Sequence, residues 1–285
     1  MTEMTRAVVK YWKSKSTIEG AGVRLKRAFG FYEVPLLDPF LLLDDFHSDN
    51  PDDYIAGFPW HPHRGIETVT YMLSGDVEHG DSIGNNGVIG SGDTQWMTAG
   101  SGIIHQEMPK KQDGFLWGFQ LWVNLPAKDK MMDPRYRDIK KDKVPLVETG
   151  DGVRVKVICG KVKGIEGPVK DIVIDPEYLD VSMTGGAKFN RKIKEGYKVF
   201  AYVVEGSAFF DYKKDDKLFK ETLIVYGDGH GVEIEAVAEG VRFLLVSGKP
   251  IGEPIAWRGP IVMNTNEELE IAFNEFHEGT FIKGD

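Results

Sequence analysis

The sequence lacks paired cysteines, long hydrophobic runs and an excess of basic residues. Cys159 is the single cysteine of 285 residues, so no intramolecular disulfide forms, and we expect a buried structural thiol. No apolar run approaches the roughly 18 residues that span a bilayer, which predicts an intracellular protein with no membrane partner. It would be cytoplasmic, or nuclear in a eukaryote. The net charge of −9 disfavours direct nucleic-acid binding.

The sequence is instead rich in short strand patterns. Alternating or β-branched runs, such as residues 68–73, 118–123 and 241–246, recur between clusters of Gly, Asp and Asn. The clearest helical pattern is terminal: residues 264–266 offer N-caps, and apolar residues recur at helical spacing from Leu269 onwards. We therefore predict an all-β protein with one C-terminal helix, whose apolar stripe docks on the other domain.

A weak internal repeat divides the chain. Tyr71-x-x-x-Gly75 returns 131 residues later as Tyr202-x-x-x-Gly206, and a Gly-Asp pair at position 92 returns at position 227. Two copies of one β-unit account for the length and predict tandem β-sandwich or jelly-roll barrels. The predicted domains are an N-terminal barrel and a C-terminal barrel with the helix, over residues 1–140 and 141–285.

Two compact motifs contain candidate metal ligands, His61-Pro62-His63 and His105-Gln106-Glu107. Side chains at i and i+2 of a strand point to the same face, so each motif presents two ligands to one surface. Three imidazoles and a carboxylate without a thiolate suit Fe(II), Mn(II), Ni(II), Cu(II) or Zn(II) better than an iron–sulfur cluster or a structural zinc cage. The alternative is a set of hydrogen-bonded core histidines.

The second repeat does not carry these ligands. Lys192 and Lys194 occupy the positions that correspond to His61 and His63, and lysines are normally solvated, protonated and poor ligands. We therefore expect one metal ion per chain. Three other histidines are interpreted as structural or surface residues: a turn residue at position 230, and surface or capping residues at positions 47 and 277.

Longer motifs around these residues resemble the pirin family, within the cupin superfamily of double-stranded β-helix barrels. The segments that carry the resemblance are LDPFLLLD (37–44), HPHRGIET (61–68), QWMTAGSGIIH (95–105), EMP (107–109), LWVNLP (121–126) and GPIVMN (259–264). The resemblance implies two tandem cupin barrels. It also implies that His61, His63, His105 and Glu107 hold one divalent ion in the N-terminal barrel, usually Fe(II), with Mn, Ni, Cu, Co or Zn as alternatives.

Four protein ligands on an ion that accepts six leave two positions, for a substrate oxygen and for dioxygen or water. The resemblance to bacterial quercetinases implies ring cleavage of a flavonol or related enolic or phenolic substrate by dioxygen, with Glu107 as the base. Other pirins resemble iron-binding regulators that act on protein partners, such as transcription factors and a metabolic enzyme complex, which is the alternative function. A third possibility is an isomerase or another cupin reaction on a small metabolite. The sequence identifies neither the partner nor the substrate-binding residues.

Three further polar residues lie near the motifs. His79 either contacts a water or carboxylate beside the metal, as the family pattern implies, or belongs to a plain turn. Arg64 should face away from the metal in a structural hydrogen-bonding role, and Glu67 is interpreted as a strand-end partner. Several aromatic residues either pack the core or wall a flat substrate: Phe58, Trp60, Trp96, Trp117 and Trp122.

Overall fold

The computed structural model describes residues 5–111 and 114–283, and these residues are mostly β-structure. The strands, in chain order, are β1 (Val8–Lys13), β2 (Lys15–Glu19), β3 (Val23–Phe29), β4 (Phe40–Ser48), β5 (Phe58–His63), β6 (Ile66–Ser74), β7 (Val77–Asp81), β8 (Asn86–Ile89), β9 (Thr94–Thr98), β10 (Ile103–Pro109), β11 (Leu116–Asn124), β12 (Arg135–Ile139), β13 (Leu146–Gly150), β14 (Val153–Cys159), β15 (Lys161–Val162), β16 (Ile165–Glu166), β17 (Glu177–Met183), β18 (Lys188–Lys192), β19 (Lys198–Phe209), β20 (Lys217–Phe219), β21 (Thr222–Tyr226), β22 (Gly231–Gly248), β23 (Ala256–Arg258) and β24 (Ile261–Met263). Helix α1 spans Asn266–Glu278, and short 3-10 turns occur at Phe31–Glu33, Pro51–Asp53, Ala127–Asp129 and Lys141–Lys143.

One compact unit, called here the N-terminal unit, comprises Lys15–Lys141 and Ile251–Asp285. Its described strands form a seven-stranded antiparallel sheet in the order β12-β9-β6-β11-β4-β3-β2 and a four-stranded sheet in the order β5-β10-β7-β8. Residues of β10 alternate between buried and half-buried positions, which is the period-2 pattern of a strand with one covered face. Both sheets contribute residues to one cavity, which positions the candidate site.

The second compact unit, the C-terminal unit, comprises the described residues up to Ser14 together with Asp142–Pro250. Its main sheet runs β1-β21-β19-β22-β17-β14-β13, with β18 and β20 paired to β22 and β19. An aliphatic and aromatic cluster fills this unit. Cys159 is buried, and its Sγ lies 3.2 Å from the Pro176 carbonyl oxygen, in agreement with the predicted structural thiol.

The division at Lys141 lies close to the predicted one. However, the described residues up to Ser14 belong to the C-terminal unit and the residues from Ile251 onwards belong to the N-terminal unit, which corrects the predicted boundaries 1–140 and 141–285. Strand β1 pairs with β21, so the N-terminal strand completes the C-terminal unit. The segment from Ile251 onwards returns to the N-terminal unit. The sequence did not predict that the two ends belong to the opposite units, because strands that pair over more than 200 residues leave no local pattern.

Helix α1 forms where the capping residues predicted it. The Thr265 hydroxyl accepts a hydrogen bond from the Glu268 backbone N–H, and Glu268 reciprocates toward the Thr265 backbone, a capping box. Leu269 and Ala272 are buried against a cluster that includes Ile261. The helix therefore lies on the N-terminal unit, as the predicted docking requires. No helix among residues 5–111 and 114–283 has the length and apolar character needed to cross a membrane.

Candidate metal site

Three histidines meet where β5 and β10 lie side by side. These strands are antiparallel, with His105 opposite His61 and Ile103 opposite His63. The candidate ligand atoms of the three histidines all lie within 4.8 Å of one another. Their ring centroids are 4.4 Å apart for His61 and His105, and 4.9 Å apart for His61 and His63. The structure thus brings the two sequence motifs together through their histidines.

Backbone carbonyls set the tautomers of two of these imidazoles. His61 Nδ1 lies 2.8 Å from the Pro59 carbonyl oxygen, and His63 Nδ1 lies 3.0 Å from the Pro260 carbonyl oxygen. A carbonyl oxygen only accepts hydrogen bonds, so each Nδ1 carries the proton and each Nε2 presents a lone pair. The two Nε2 atoms are 3.1 Å apart. Facing lone pairs repel at that distance, and a cation held by both nitrogens removes the repulsion.

The third histidine has an environment that also fits a metal ion. His105 is 1% exposed, and among the described residues neither of its ring nitrogens has a hydrogen-bond partner. Burial, assisted by the neighbouring imidazoles, lowers the pKa of His105 and of His63 well below the usual value. Neutral imidazole is the form that binds metals. The donor set therefore fits a divalent ion.

Glu107 occupies the same buried face of β10 as His105 but stands apart from the group of three histidines. Its Oε1 accepts a hydrogen bond from the Thr70 hydroxyl at 3.0 Å. Burial raises the pKa of Glu107, against the opposing effects of His61 and Thr70. Glu107 is thus a buried carboxyl group with a raised pKa, on the same strand face as His105 but outside the group of three histidines, and its role as fourth ligand remains a prediction.

His79 lies in strand β7, directly opposite Glu107, and not in a turn. Its ring stacks on Tyr136, with His79 Nδ1 2.5 Å from the phenol oxygen. On its other side, Nε2 is 3.4 Å from Asp138 Oδ2. Sequence reasoning missed Tyr136, because β12 reaches this region only through its pairing with β9.

Arg64 faces away from the histidine cluster, as the strand parity predicts. Its buried guanidinium donates from Nε to the Ser101 carbonyl at 2.6 Å and from Nη2 to the Phe281 carbonyl at 2.9 Å, and Nη1 pairs with Glu275 at 2.7 Å. The neighbouring Gly65 has φ 77°, and a Cβ there would lie 2.0 Å from the Val262 carbonyl oxygen. Only glycine lets the C-terminal segment approach the histidine motif this closely.

The remaining sequence candidates lie outside the cluster. Glu67 is buried and accepts a hydrogen bond from the Thr98 hydroxyl, so its partner is a neighbouring strand's side chain. His230 lies in an exposed bend, as predicted for a turn histidine. In the described part of the chain, the three histidines are the only such group of potential metal ligands, in accord with one ion per chain.

A cavity of about 630 Å³ adjoins the histidines. His61, His63 and Glu107 contribute to its lining, and the walls are largely apolar. The structure also separates the roles of the aromatic residues left open by the sequence. Phe58, Trp60 and Trp122 line the cavity, Trp96 is fully buried, and the Trp117 indole donates a hydrogen bond to Asp45. The cavity thus offers aromatic walls to a flat ligand.

Comparisons with known proteins agree with this architecture. The family profile described as Pirin matches residues 22–123, and the one described as Pirin C-terminal cupin domain matches residues 178–282. A Caulobacter vibrioides "Pirin-like protein" is 45% identical over 277 residues, covering 97% of this chain and 99% of that protein. A Pseudomonas aeruginosa protein named "putative quercetin 2,3-dioxygenase" is 42% identical over 278 residues, covering 96% and 97%. The crystal structure of quercetin 2,3-dioxygenase from Acinetobacter baumannii superposes with a TM-score of 0.90 at 31% identity, covering 98% and 99%.

Proposed function

Because this chain belongs to the pirin family and has two cupin domains, we propose that it is a metal-dependent dioxygenase that opens the ring of a flavonol or a related enolic or phenolic substrate. The observation that carries the proposal is the cluster of three histidines beside an aromatic-walled cavity. Relatives and a structural neighbour named as quercetin 2,3-dioxygenases support a quercetinase-like enzyme. The substrates would be a small aromatic molecule and dioxygen.

The histidine cluster supports a divalent metal ion, and we propose Fe(II), one ion per chain, with Mn, Ni, Cu, Co or Zn as alternatives. His61, His63 and His105 would hold it, with Glu107 as the fourth ligand. The carbonyls of Pro59 and Pro260 fix both ring orientations, because each accepts the Nδ1 proton. When bound, such an ion supplies a Lewis acid that polarises a substrate oxygen and a centre that activates dioxygen.

The protein's own contribution is binding, water exclusion and proton transfer. The apolar walls accept the flat body of a substrate and displace water from it. Glu107 is the candidate base: burial raises its pKa, which makes the carboxylate a stronger acceptor for the proton of an enolic or phenolic hydroxyl. Thr70 holds the Glu107 carboxyl group in place through its hydroxyl.

The ligand assignment is tested by metal analysis. His61→Ala, His63→Ala and His105→Ala should each leave mostly metal-free protein, because each removes an imidazole that the surrounding strands do not replace. His230→Ala, on the exposed bend, is the matched control and should keep its metal. Full metal occupancy in any one of the three variants would show that the assigned ligand is wrong.

Oxygen uptake with quercetin, measured against metal content, tests the reaction. Removing the ion should abolish uptake, and restoring different divalent ions should recover it unequally, since they differ in geometry and redox behaviour. Uptake that persists in fully metal-free protein would contradict the mechanism. Absence of uptake with every ion would favour the alternative, an iron-binding regulator that acts through a protein partner.

A further inference from the structure

A row of polar residues crosses the cavity-facing side of the main sheet in the N-terminal unit. Thr70 on β6 pairs directly with Gln120 on β11, Gln120 pairs with Asp44 on β4, and Asp44 pairs with Arg27 on β3. Directly opposed residues of antiparallel strands project to the same face. All four residues line the cavity. We call these four residues the polar row.

The two ends of the polar row have different partners. At one end, Thr70 hydrogen-bonds to Glu107 beside the histidines. At the other end, Arg27 donates from Nε and Nη2 to the two oxygens of Asp44, at 2.8 and 2.7 Å, and from Nη1 to Glu19 at 2.8 Å. A guanidinium has five N–H donors, so within the described residues these three bonds leave donors for a ligand. The row therefore joins the candidate metal site to a charged pair inside a largely apolar cavity.

The C-terminal unit shows that the fold does not require this row. The repeat offset of 131 residues aligns Thr70 with Ala201, and Ala201 heads the equivalent line of cross-strand pairs. That line continues through Leu245, Leu179 and Val157. All four are fully buried members of the hydrophobic core. The same sheet positions are thus apolar and filled in one cupin domain, and polar and facing a cavity in the other.

The dimensions and chemistry of the row suit one class of ligand. Three strand spacings separate β6 from β3, or about 14 Å, which is long enough for a molecule of more than one ring. A phenolic hydroxyl both donates and accepts, so it can donate to the Asp44 carboxylate while it accepts from Arg27. Leu25, Leu42 and Phe58 line the same cavity and offer apolar surface to the flat faces of such a molecule.

We propose that the polar row is the recognition site for the ring hydroxyls of a planar polyphenol, with Arg27 and Asp44 as specificity-determining residues. The substrate's enolic oxygen would lie at the histidines, and its ring hydroxyls along the row. The identity of the ligand class rests on the proposed function. The evidence that the row is a binding feature is independent of it and comes from the strand register and from the apolar residues at the equivalent positions of the C-terminal unit.

The test compares two probes at equilibrium. Quercetin carries hydroxyls on both outer rings, whereas flavonol itself keeps only the hydroxyl–ketone pair that binds a metal. Their dissociation constants for the metal-loaded protein are measured without oxygen, from quenching of the cavity tryptophans Trp60 and Trp122. The wild type should prefer quercetin. In the double variant Arg27→Met/Asp44→Leu, the ratio of the flavonol to the quercetin dissociation constant should fall about tenfold, because a pair of polar contacts to the ring hydroxyls is lost.

Both partners are replaced together because a single replacement would leave an unpaired buried charge. The matched control is Arg242→Met/Asp180→Leu in the C-terminal unit, a pair with the same two-point geometry at 2.9 and 2.7 Å that does not line the cavity. It should keep the full preference. Gln120→Leu, which removes a member of the row without disturbing an ion pair, should also reduce the preference, and it decides the question if the double variant fails to fold.

An unchanged preference in the folded double variant or in Gln120→Leu would overturn the proposal. Equal affinity of the wild type for both probes, or no binding of either, would overturn it as well. Preference for quercetin without oxygen uptake would leave the recognition site standing and refute the proposed reaction. Oxygen uptake without any preference would refute the recognition site alone.

Discussion

Arg64 ties the C-terminal helix to the strand that carries His61 and His63, so its replacement should release the helix. The Arg64 guanidinium is buried and bonds to the carbonyl oxygens of Ser101 and Phe281 and to the Glu275 carboxylate of α1. It also lies over the Phe281 ring, 4.2 Å from the ring centroid. Arg64→Met keeps an apolar side chain in the same space and removes every one of these polar contacts.

The size of the effect follows from those contacts. A hydrogen bond to a charged group contributes about 1.5–3 kcal/mol, and a buried carbonyl left without its donor costs about 1–3 kcal/mol. The cation–π contact adds at least about 0.5 kcal/mol. We add the lower values for the ion pair, for the two carbonyl groups and for the ring contact. On this basis Arg64→Met weakens the docking of α1 by about 4 kcal/mol. That corresponds to about a thousandfold in an opening equilibrium.

Hydrogen exchange of the α1 backbone amides measures this opening directly. In Arg64→Met these amides should exchange up to a thousandfold faster than in the wild type, while the core strands of the C-terminal unit keep their protection. Arg258→Met is the control, because Arg258 makes the same cation–π contact with Phe273 of α1, at 4.0 Å, but is exposed. It should change the opening free energy by less than about 1 kcal/mol. Equal exchange in Arg64→Met and the wild type would refute the reasoning.

Two further predictions concern Lys130 and Thr70. Burial lowers the pKa of Lys130 to about 7 in the folded protein. Between pH 7 and about 10.5 the lysine is therefore protonated in the unfolded chain and mostly neutral in the folded one, so the free energy of unfolding should rise with pH over this range. The free energy of unfolding of the wild type relative to Lys130→Met should therefore increase by about 2 kcal/mol from pH 7 to pH 9, and a flat difference would contradict the lowered pKa. Thr70→Val removes the hydroxyl that bonds Glu107 and should weaken metal binding by about tenfold in a competition titration, whereas unchanged affinity would mean that Thr70 does not hold a ligand.

Local patterns in the sequence determined several features of this protein. Period-2 alternation placed His61 with His63, and His105 with Glu107, on single strand faces, because successive side chains of a strand point to opposite sides. The N-cap candidates at residues 264–266 marked the start of α1, because capping chemistry acts within one helical turn, and Thr265 is the residue that caps it. The 131-residue repeat indicated two copies of one β-unit. Each of these signals depends on neighbours in the chain or on self-similarity, which a single sequence contains.

Only the tertiary structure decided which distant segments meet. The Pro260 carbonyl that orients His63 lies 197 residues away, and it reaches the site because the C-terminal segment returns to the N-terminal unit. The polar row likewise exists only through the register of four strands, since Arg27 and Gln120 are unremarkable when read one at a time. Register between remote strands is chosen by the packing of whole sheets and by loop closure, which no local residue pattern encodes.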